Sequence, residues 1–394
     1  MSAVLAWLLF ALALPACATS LYLLMFTLLS AAPAAPLRPT RRLRFDVVVP
    51  AHDEAAAIEA AIASLRRIDW PAGDFRVLVV ADNCSDATAA LARAAGASVL
   101  ERHDPEQRGK GHALQMAFDA SLARGWAYAV VVVDADTRVS TNLLKAFAAR
   151  IENGAKAMQA HYAVLNPQAS WRTRLMAIAM ACFHRVRSRA RERLRLSCGI
   201  RGNGWCVTHR LLRAVPYRAF SLAEDVEYGI TLGLAGYRVH YADEAEVAAT
   251  MVASEPAARS QRQRWEAGRA QQVRTRTWPL LKAATRPDGG VCLDLALDLL
   301  VPPLSYGAIN VAALVALAGL ATLWDASLAF WLWLGGACGL SLALYVLRGW
   351  QLSGVGLRGL VDLLRAPAFV LWKLLLRLRA RRSVQWVRTR REDT

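Results

Sequence analysis

The triplet Asp134-Ala135-Asp136 closes an apolar run at 130–133. In extended backbone, residues two apart point the same way, so both carboxylates can face one ion. A hard divalent cation such as Mg2+ prefers oxygen ligands and binds through one or two carboxylates plus phosphate oxygens. Solvated surface acids are the plain alternative, but the triplet has no basic neighbour before Arg138. A second apolar run ends in Asp82-Asn83-Cys84-Ser85-Asp86. There Asp82 can accept the imide hydrogen of a nucleobase, while Ser85 or Asp86 caps the helix that follows. Gly109-Lys110-Gly111 precedes another helical stretch. It lets backbone and ammonium approach a phosphate, although it has the spacing of neither the Walker nor the dinucleotide glycine fingerprint.

Further along, Ala223-Glu224-Asp225 opens a helical run at 226–234. A helix N-terminus favours acids whatever their function, so this pair carries a structural and a chemical reading side by side. Gln261-Arg262-Gln263-Arg264-Trp265 is harder to reduce to packing. A Trp beside Arg and Gln in a polar helix has no plain core role. Stacking on a sugar ring while Arg264 meets a pyrophosphate would use all three residue types.

Such groups need elements to hold them. Apolar, partly β-branched runs at 45–49, 76–80, 98–101 and 128–133 alternate with helical periodicities at 55–67, 87–95 and 111–124. Consecutive buried strands separated by helices predict a parallel sheet covered on both faces, with ligands beyond the carboxyl ends of the strands. That topology sets Asp53, Asp82, Asp134 and Asp136 on one rim of a nucleotide-type α/β domain.

The 394 residues are 55% hydrophobic and 20% charged, too apolar for disorder and too charged for membrane helices alone. No ionisable side chain precedes Arg38, and the apolar stretch 3–29 is long enough to cross a bilayer. It lacks a basic n-region and exceeds the apolar core of a signal peptide, so an uncleaved span is expected. Arg38, Arg41, Arg42 and Arg44 follow, which puts the amino terminus outside and the next domain in the cytoplasm. Runs at 304–323 and 326–347 make a hairpin turning near Asp325. Segments 291–300 and 356–376 mix charges with apolar residues and read as helices lying on the membrane surface, with a span as the alternative for the second. The Arg-rich tail at 377–391, with Trp386, suits acidic headgroups. The expected organisation is a transmembrane helix within 1–37, a cytoplasmic domain at 38–290, then interfacial helices, two spans and a basic tail within 291–394. Membrane attachment accounts for the net charge of +17, and no nucleic-acid partner is expected. Seven scattered cysteines without a C-x-x-C pair fit a reducing, cytosol-facing body. Arg185, Arg187, Arg189, Arg191, Arg193 and Arg195 alternate along one segment. They face solvent or lipid headgroups, or else touch an anionic acceptor such as a phospholipid or polyprenyl diphosphate.

Taken in order, Val49-Pro50-Ala51-His52-Asp53-Glu54, Asp82, Asp134-Ala135-Asp136, Glu224-Asp225 and Gln261-x-x-Arg264-Trp265 resemble a membrane-bound family 2 glycosyltransferase of GT-A fold. The resemblance runs from Phe45 to about Trp278. The flanking spans suit the branch containing cellulose, hyaluronan and poly-N-acetylglucosamine synthases and ceramide glucosyltransferases. It implies an α/β GT-A (nucleotide-diphospho-sugar transferase) domain plus transmembrane helices. It further implies that Pro50, Ala51, Asp53, Glu54 and Asp82 hold uridine, with Lys110 nearby. Asp134 and Asp136 would hold the nucleotide sugar and its Mg2+ or Mn2+, with Asp136 the direct ligand. Asp225 matches the catalytic base, and Glu224 is its neighbour in the acceptor pocket. Gln261, Arg264 and Trp265 match a motif that grips pyrophosphate and lines the acceptor site. Gly202-Asn203-Gly204 falls, more loosely, where these enzymes place an acceptor-proximal loop. Ala223 stands where the family often has Thr.

The implied activity is an inverting, metal-dependent hexosyl transfer from a UDP-sugar to a lipid-linked or polysaccharide acceptor. It would serve cell-envelope polysaccharide or glycolipid synthesis at the cytoplasmic face of the inner membrane, in a multi-pass protein. A processive polysaccharide synthase remains open. Two carboxy-terminal spans are few for a translocation channel, which favours lipid-linked or short-chain products or help from a partner subunit. The competing class is a non-catalytic membrane-anchored protein that binds nucleotide sugar or lipid. Acids intact at every matched position speak against it.

Overall fold

The computed structural model describes residues 2–251 and 255–367, without the side chains of residues 2–3 and 255–262. The expected basic tail and the second half of the 356–376 segment lie outside the described residues. Eight strands form one sheet among them: β1 Phe45–Ala51, β2 Phe75–Asp82, β3 Ser98–Arg102, β4 Ala129–Val132, β5 Thr137–Val139, β6 Ala157–Val164, β7 Trp205–Thr208 and β8 Val239–Ala249. Their order is β3-β2-β1-β4-β7-β6-β8-β5.

β1 is apolar on both sides because both sides are covered. Val47 and Val49 pack with Ile58, Ile62, Leu65 and Phe147 in one core. Val48 points the other way, to Leu78, Val80, Leu114, Phe118 and Trp205. Full burial of each such side chain contributes about 1.5–3 kcal/mol, which is why a continuous valine run outcompetes any half-exposed arrangement.

The sheet is mixed rather than all parallel. β1 to β4 pair in parallel as expected. β7, however, runs antiparallel to both β4 and β6, and β5 runs antiparallel to β8. Between β6 and β7 lie the helix Trp171–Met180, its π-helical continuation Ala181–Val186 and the helix Arg187–Arg193. Ala177, Ile178, Cys182 and Val186 pack with Leu9, Leu314 and Leu342 of three long apolar helices. Those helices, Val4–Leu28, Leu304–Thr322 and Ala326–Ser353, are each long and apolar enough to cross a membrane. A Cβ on Gly349 would lie 2.1 Å from Cys182 Sγ, so only glycine admits this close approach of the third long helix.

The alternating arginines correct the expectation made for them. Arg187, Arg189 and Arg191 are buried, and only Arg193 and Arg195 of the series are exposed. Their i, i+4 spacing sorts them onto acids of two elements. Arg189 grips Asp243 of β8 through Nε and Nη2 at 2.8 and 2.7 Å, with Arg185 Nε at 3.4 Å from the same carboxylate. Arg191 Nε donates to Asp294 at 2.7 Å, and both Arg187 and Arg191 reach Asp298 Oδ1 at 2.9 Å. Asp294 and Asp298 belong to the helix Gly290–Leu300. That helix has a surface face as expected, made by Leu293, Leu297 and Leu300, but its acids point inward. Burial opposes the charge on Asp298, yet Arg191, Arg201, Arg187 and Arg269 outweigh it and hold its carboxyl far below the usual range. Asp298→Ala is expected to destabilise the protein by about 3–5 kcal/mol, because several buried guanidiniums lose their counter-charge. Chemical denaturation of the detergent-solubilised chain measures this; a change under about 1 kcal/mol, the value of an exposed pair, would contradict it.

Candidate active site

Every expected site residue whose side chain is described lines one cleft of about 1480 Å3: Pro50, Ala51, Asp53, Glu54, Asp82, Lys110, Asp134, Asp136, Glu224, Asp225, Arg264 and Trp265. The cleft lies beyond the carboxyl ends of β1, β2 and β4. Gln261 sits on the helix Glu255–Ala284, and its side chain lies outside the described residues.

Two loops build the first wall. Asp53 and Asn83 adopt left-handed backbone at φ +52° and +51°, a conformation Asp and Asn tolerate better than most residues. Asp53 Oδ1 accepts from the Ser85 backbone N–H at 2.6 Å, tying the loop after β1 to the loop after β2. His52 Nδ1 lies 2.7 Å from the Asp82 carbonyl oxygen, which can only accept, so this nitrogen carries the proton. Asp82 Oδ1 accepts from Arg102 Nη1 at 2.8 Å and from Asn83 Nδ2 at 2.9 Å. Arg102, at the end of the edge strand β3, carried no motif signal in the sequence.

The paired aspartates reach the cleft by a different route from the one expected. β4 stops at Val132, and Thr137 N–H donates to Asp134 O at 3.2 Å, so the triplet occupies a turn rather than extended backbone. Ala135 is buried while Asp134 and Asp136 on either side stay half-exposed and line the cleft. Asn203, fully buried, pins the turn: its Oδ1 accepts from Asp134 N–H at 3.1 Å and its Nδ2 donates to Thr137 Oγ1 at 2.7 Å. The loosely matched Gly202-Asn203-Gly204 segment therefore positions the acids.

Lys110 begins the helix Lys110–Arg124, after Gly109 at φ +121°. Its Nζ donates to Asp134 Oδ1 and to Gly202 O, each at 2.6 Å, and lies 3.9 Å from Glu224 Oε1. Burial alone would lower the ammonium pKa, but Asp134, Glu224 and Asp225 together raise it. Glu224 and Asp225 open the helix Glu224–Leu234. Burial and the charge of Asp225 push the Glu224 carboxyl up to about 7, with Lys110 opposing. Burial likewise raises Asp225, against the Val226 N–H, Lys110 and Arg201. Asp225 Oδ2 lies only 3.3 Å from where a Cβ on Gly202 would stand. On the facing helix, Trp265 is 41% exposed at the cleft. Gly268, one turn on, would place a Cβ 2.9 Å from Ala223 Cβ, so that helix lies directly over the acids.

The raised Glu224 pKa makes stability pH-dependent. Its folded state holds the proton more tightly than the ordinary value of 4.5 allows, so this stabilisation is complete below about 4.5 and is lost as pH rises through about 7. Glu224→Gln is expected to flatten the stability–pH curve across that window and to raise stability above it. Denaturation midpoints without nucleotide or divalent cation read this directly; an unchanged slope would show that another group titrates there.

The carboxylates of Asp134 and Asp136, both directed into the cleft, form a hard oxygen donor set that suits Mg2+ or Mn2+. A family model described as Glycosyltransferase like family 2 matches residues 42–268. Among solved structures, the mannosyltransferase PcManGT from Pyrobaculum calidifontis, in complex with GDP-Man and Mn2+, is similar at 19% identity and TM-score 0.54, over 87% of this chain and 99% of that one. S. aureus TarS 1-349 in complex with UDP-GlcNAc is 15% identical with TM-score 0.47, over 78% of this chain and 90% of that one. Glucosyl-3-phosphoglycerate synthase from Mycobacterium tuberculosis, in complex with Mn2+, UDP and phosphoglyceric acid, is 22% identical with TM-score 0.39, over 53% and 71%. The likeness to the first of these bears out the expected GT-A fold of the α/β domain, and the match across 42–268 settles the family: this chain belongs to glycosyltransferase family 2.

Proposed function

We propose that this chain is an inverting glycosyltransferase that moves a sugar from a UDP-sugar to an acceptor hydroxyl at the cytoplasmic face of a membrane. The observation that carries this reading is the convergence of Asp82, Asp136, Asp225 and Trp265, from four distant segments, on one cleft. Both hydrogen bonds to the Asp82 carboxylate from described residues reach Oδ1, which leaves Oδ2 to accept from a base imide. Pro50, Ala51, Asp53 and Glu54 wall the same end. Asp134 and Asp136 would hold Mg2+ or Mn2+ together, with Asp136 the direct ligand and Asp134 also tied to the Lys110 ammonium. When bound, the cation neutralises the diphosphate leaving group.

Asp225 takes the proton of the acceptor hydroxyl as that oxygen attacks the anomeric carbon, and the bond from that carbon to the diphosphate oxygen breaks. A raised pKa makes Asp225 a better proton acceptor than an ordinary aspartate. Glu224 shares its pocket, and Lys110 keeps the pair from repelling the acceptor. Arg264 meets the pyrophosphate while Trp265 stacks on a sugar ring. The leaving group needs charge rather than a proton, so one working carboxylate suffices where a glycoside hydrolase needs two. The P. calidifontis mannosyltransferase, with its GDP-Man and Mn2+, supports a nucleoside-diphosphate sugar with a divalent cation.

The arginines at 38–44 favour a cytoplasmic 38–290 domain between a span within 1–37 and the spans of 291–394. Release of UDP from a panel of UDP-sugars, with and without Mn2+ and with membrane lipids as acceptors, tests the reading. Release that requires both cation and lipid is expected. Turnover of GDP-sugars only would overturn the assignment of uridine to the Asp82 wall.

A further inference from the structure

The cleft does not end at the acids. The same cavity includes Phe183 and Arg187, then Leu304 at the head of the second long apolar helix and Tyr345 on the third. Its lining is charged in two clusters. Asp134, Asp136, Glu224 and Asp225 lie around the Lys110 ammonium. Arg187, Arg201 and Arg269 line it beside Asp298, three guanidiniums to one carboxylate.

Arg201 is the member of that group with the poorest company. It is 8% exposed and lines the cleft, yet its guanidinium donates no hydrogen bond to any described residue. Nη1 stands 3.7 Å from Asp298 Oδ2, Nε is buried without a partner, and the group rests 4.1 Å above the Phe183 ring. Burial, with Arg191 and Arg187 nearby, pulls its pKa below the ordinary arginine value despite Asp298. Long-range balance from the acidic cluster does not supply the missing hydrogen bonds. A buried fork of N–H donors beside a cavity matches the oxygens of a phosphate.

We propose that Arg201 docks the phosphate of an acceptor phospholipid, whose free headgroup hydroxyl meets Asp225 and whose acyl chains lie along Leu175, Met176 and Leu304. The proposal rests on the glycosyltransferase reading and adds the chemical class of the acceptor. Three demands meet in one molecule. Asp225 needs a hydroxyl, Arg201 needs an anion, and the apolar lining, with Leu304 and Tyr345 from helices fit to cross a membrane, needs a tail. A neutral lipid would leave the buried guanidinium without a hydrogen-bond acceptor, with only the Asp298 carboxylate 3.7 Å away.

The test uses the full chain in dodecyl maltoside, with binding of a fluorescent-acyl phosphatidylglycerol as the readout. Ceramide, a prenyl monophosphate and inorganic phosphate serve as competitors. Ceramide and inorganic phosphate are expected to compete at least about tenfold less well than unlabelled phosphatidylglycerol, the size of one charge-assisted hydrogen bond. Arg201→Gln should weaken lipid binding by a similar factor while UDP-sugar binding is kept, and Arg201→Lys should recover part of the loss. Equal competition by ceramide or inorganic phosphate, better competition by the prenyl monophosphate, or loss of donor rather than lipid binding in Arg201→Gln would each overturn the proposal. The competition series needs only the wild-type chain, so it decides the matter even where Arg201→Gln fails to fold. Lipid binding that depends on Arg201 without any UDP release would retire the transferase reading and leave the phospholipid site standing.

Discussion

Asp225→Asn is expected to reduce transfer by about 10²–10⁴-fold, the range supplied by a positioned general base. Asparagine keeps the shape of the side chain and its place at the start of the Glu224–Leu234 helix, but it cannot take a proton. Nothing at the nucleotide wall changes, since Asp225 lies against Gly202 and the Lys110 cluster rather than against Asp82. The dissociation constant for UDP-sugar should therefore hold, which separates this variant from one that disturbs folding. Initial rates and donor binding measured on the same preparation read both quantities. Full activity would remove Asp225 as the base and move that role to Glu224, whose carboxyl is raised to about 7 in the same pocket.

Asp136→Asn acts one step earlier, on donor capture. Losing a charged oxygen ligand should weaken Mn2+-dependent UDP-sugar binding by at least about 10–100-fold, the usual loss for groups that tune a metal site. Binding without the cation should change little, because the proposed base contacts of Asp82 and the loop after β1 are kept. Titrating UDP-sugar at fixed Mn2+ and again with chelator gives both numbers. Asp134→Asn provides the contrast. Its carboxylate anchors Lys110 at 2.6 Å, so its loss should disturb the Lys110, Gly202 and Glu224 cluster as well as the cation. A larger cation-dependent loss in Asp134→Asn than in Asp136→Asn would exchange the two roles.

Much of the site was legible because it is local. A carboxylate that follows a buried strand must emerge at that strand's end, whatever the rest of the chain does, and this set Asp53, Asp82, Asp134 and Asp136 on one rim. The three long apolar helices were equally plain, since length and composition alone decide whether a segment can cross a bilayer. Spacing misled where it was asked to give direction. Alternation along 185–195 looked like a solvated or lipid-facing stretch, whereas the i, i+4 pairs within it find Asp243, Asp294 and Asp298. Charges among leucines in 291–300 marked a surface helix, but the surface face belongs to the leucines.

What the sequence by itself determined is the set of chemical groups and the element that carries each one, because strand alternation and helical period act over a few residues. What only the tertiary structure decided is company: Lys110 beside Gly202, 92 residues away, and Arg191 on Asp294, 103 residues away. The antiparallel course of β7 belongs to the same class, as does the Arg201 Nε left without a hydrogen-bond partner. Such pairings depend on which surfaces meet when distant segments bury their apolar faces together, and no local periodicity encodes that choice.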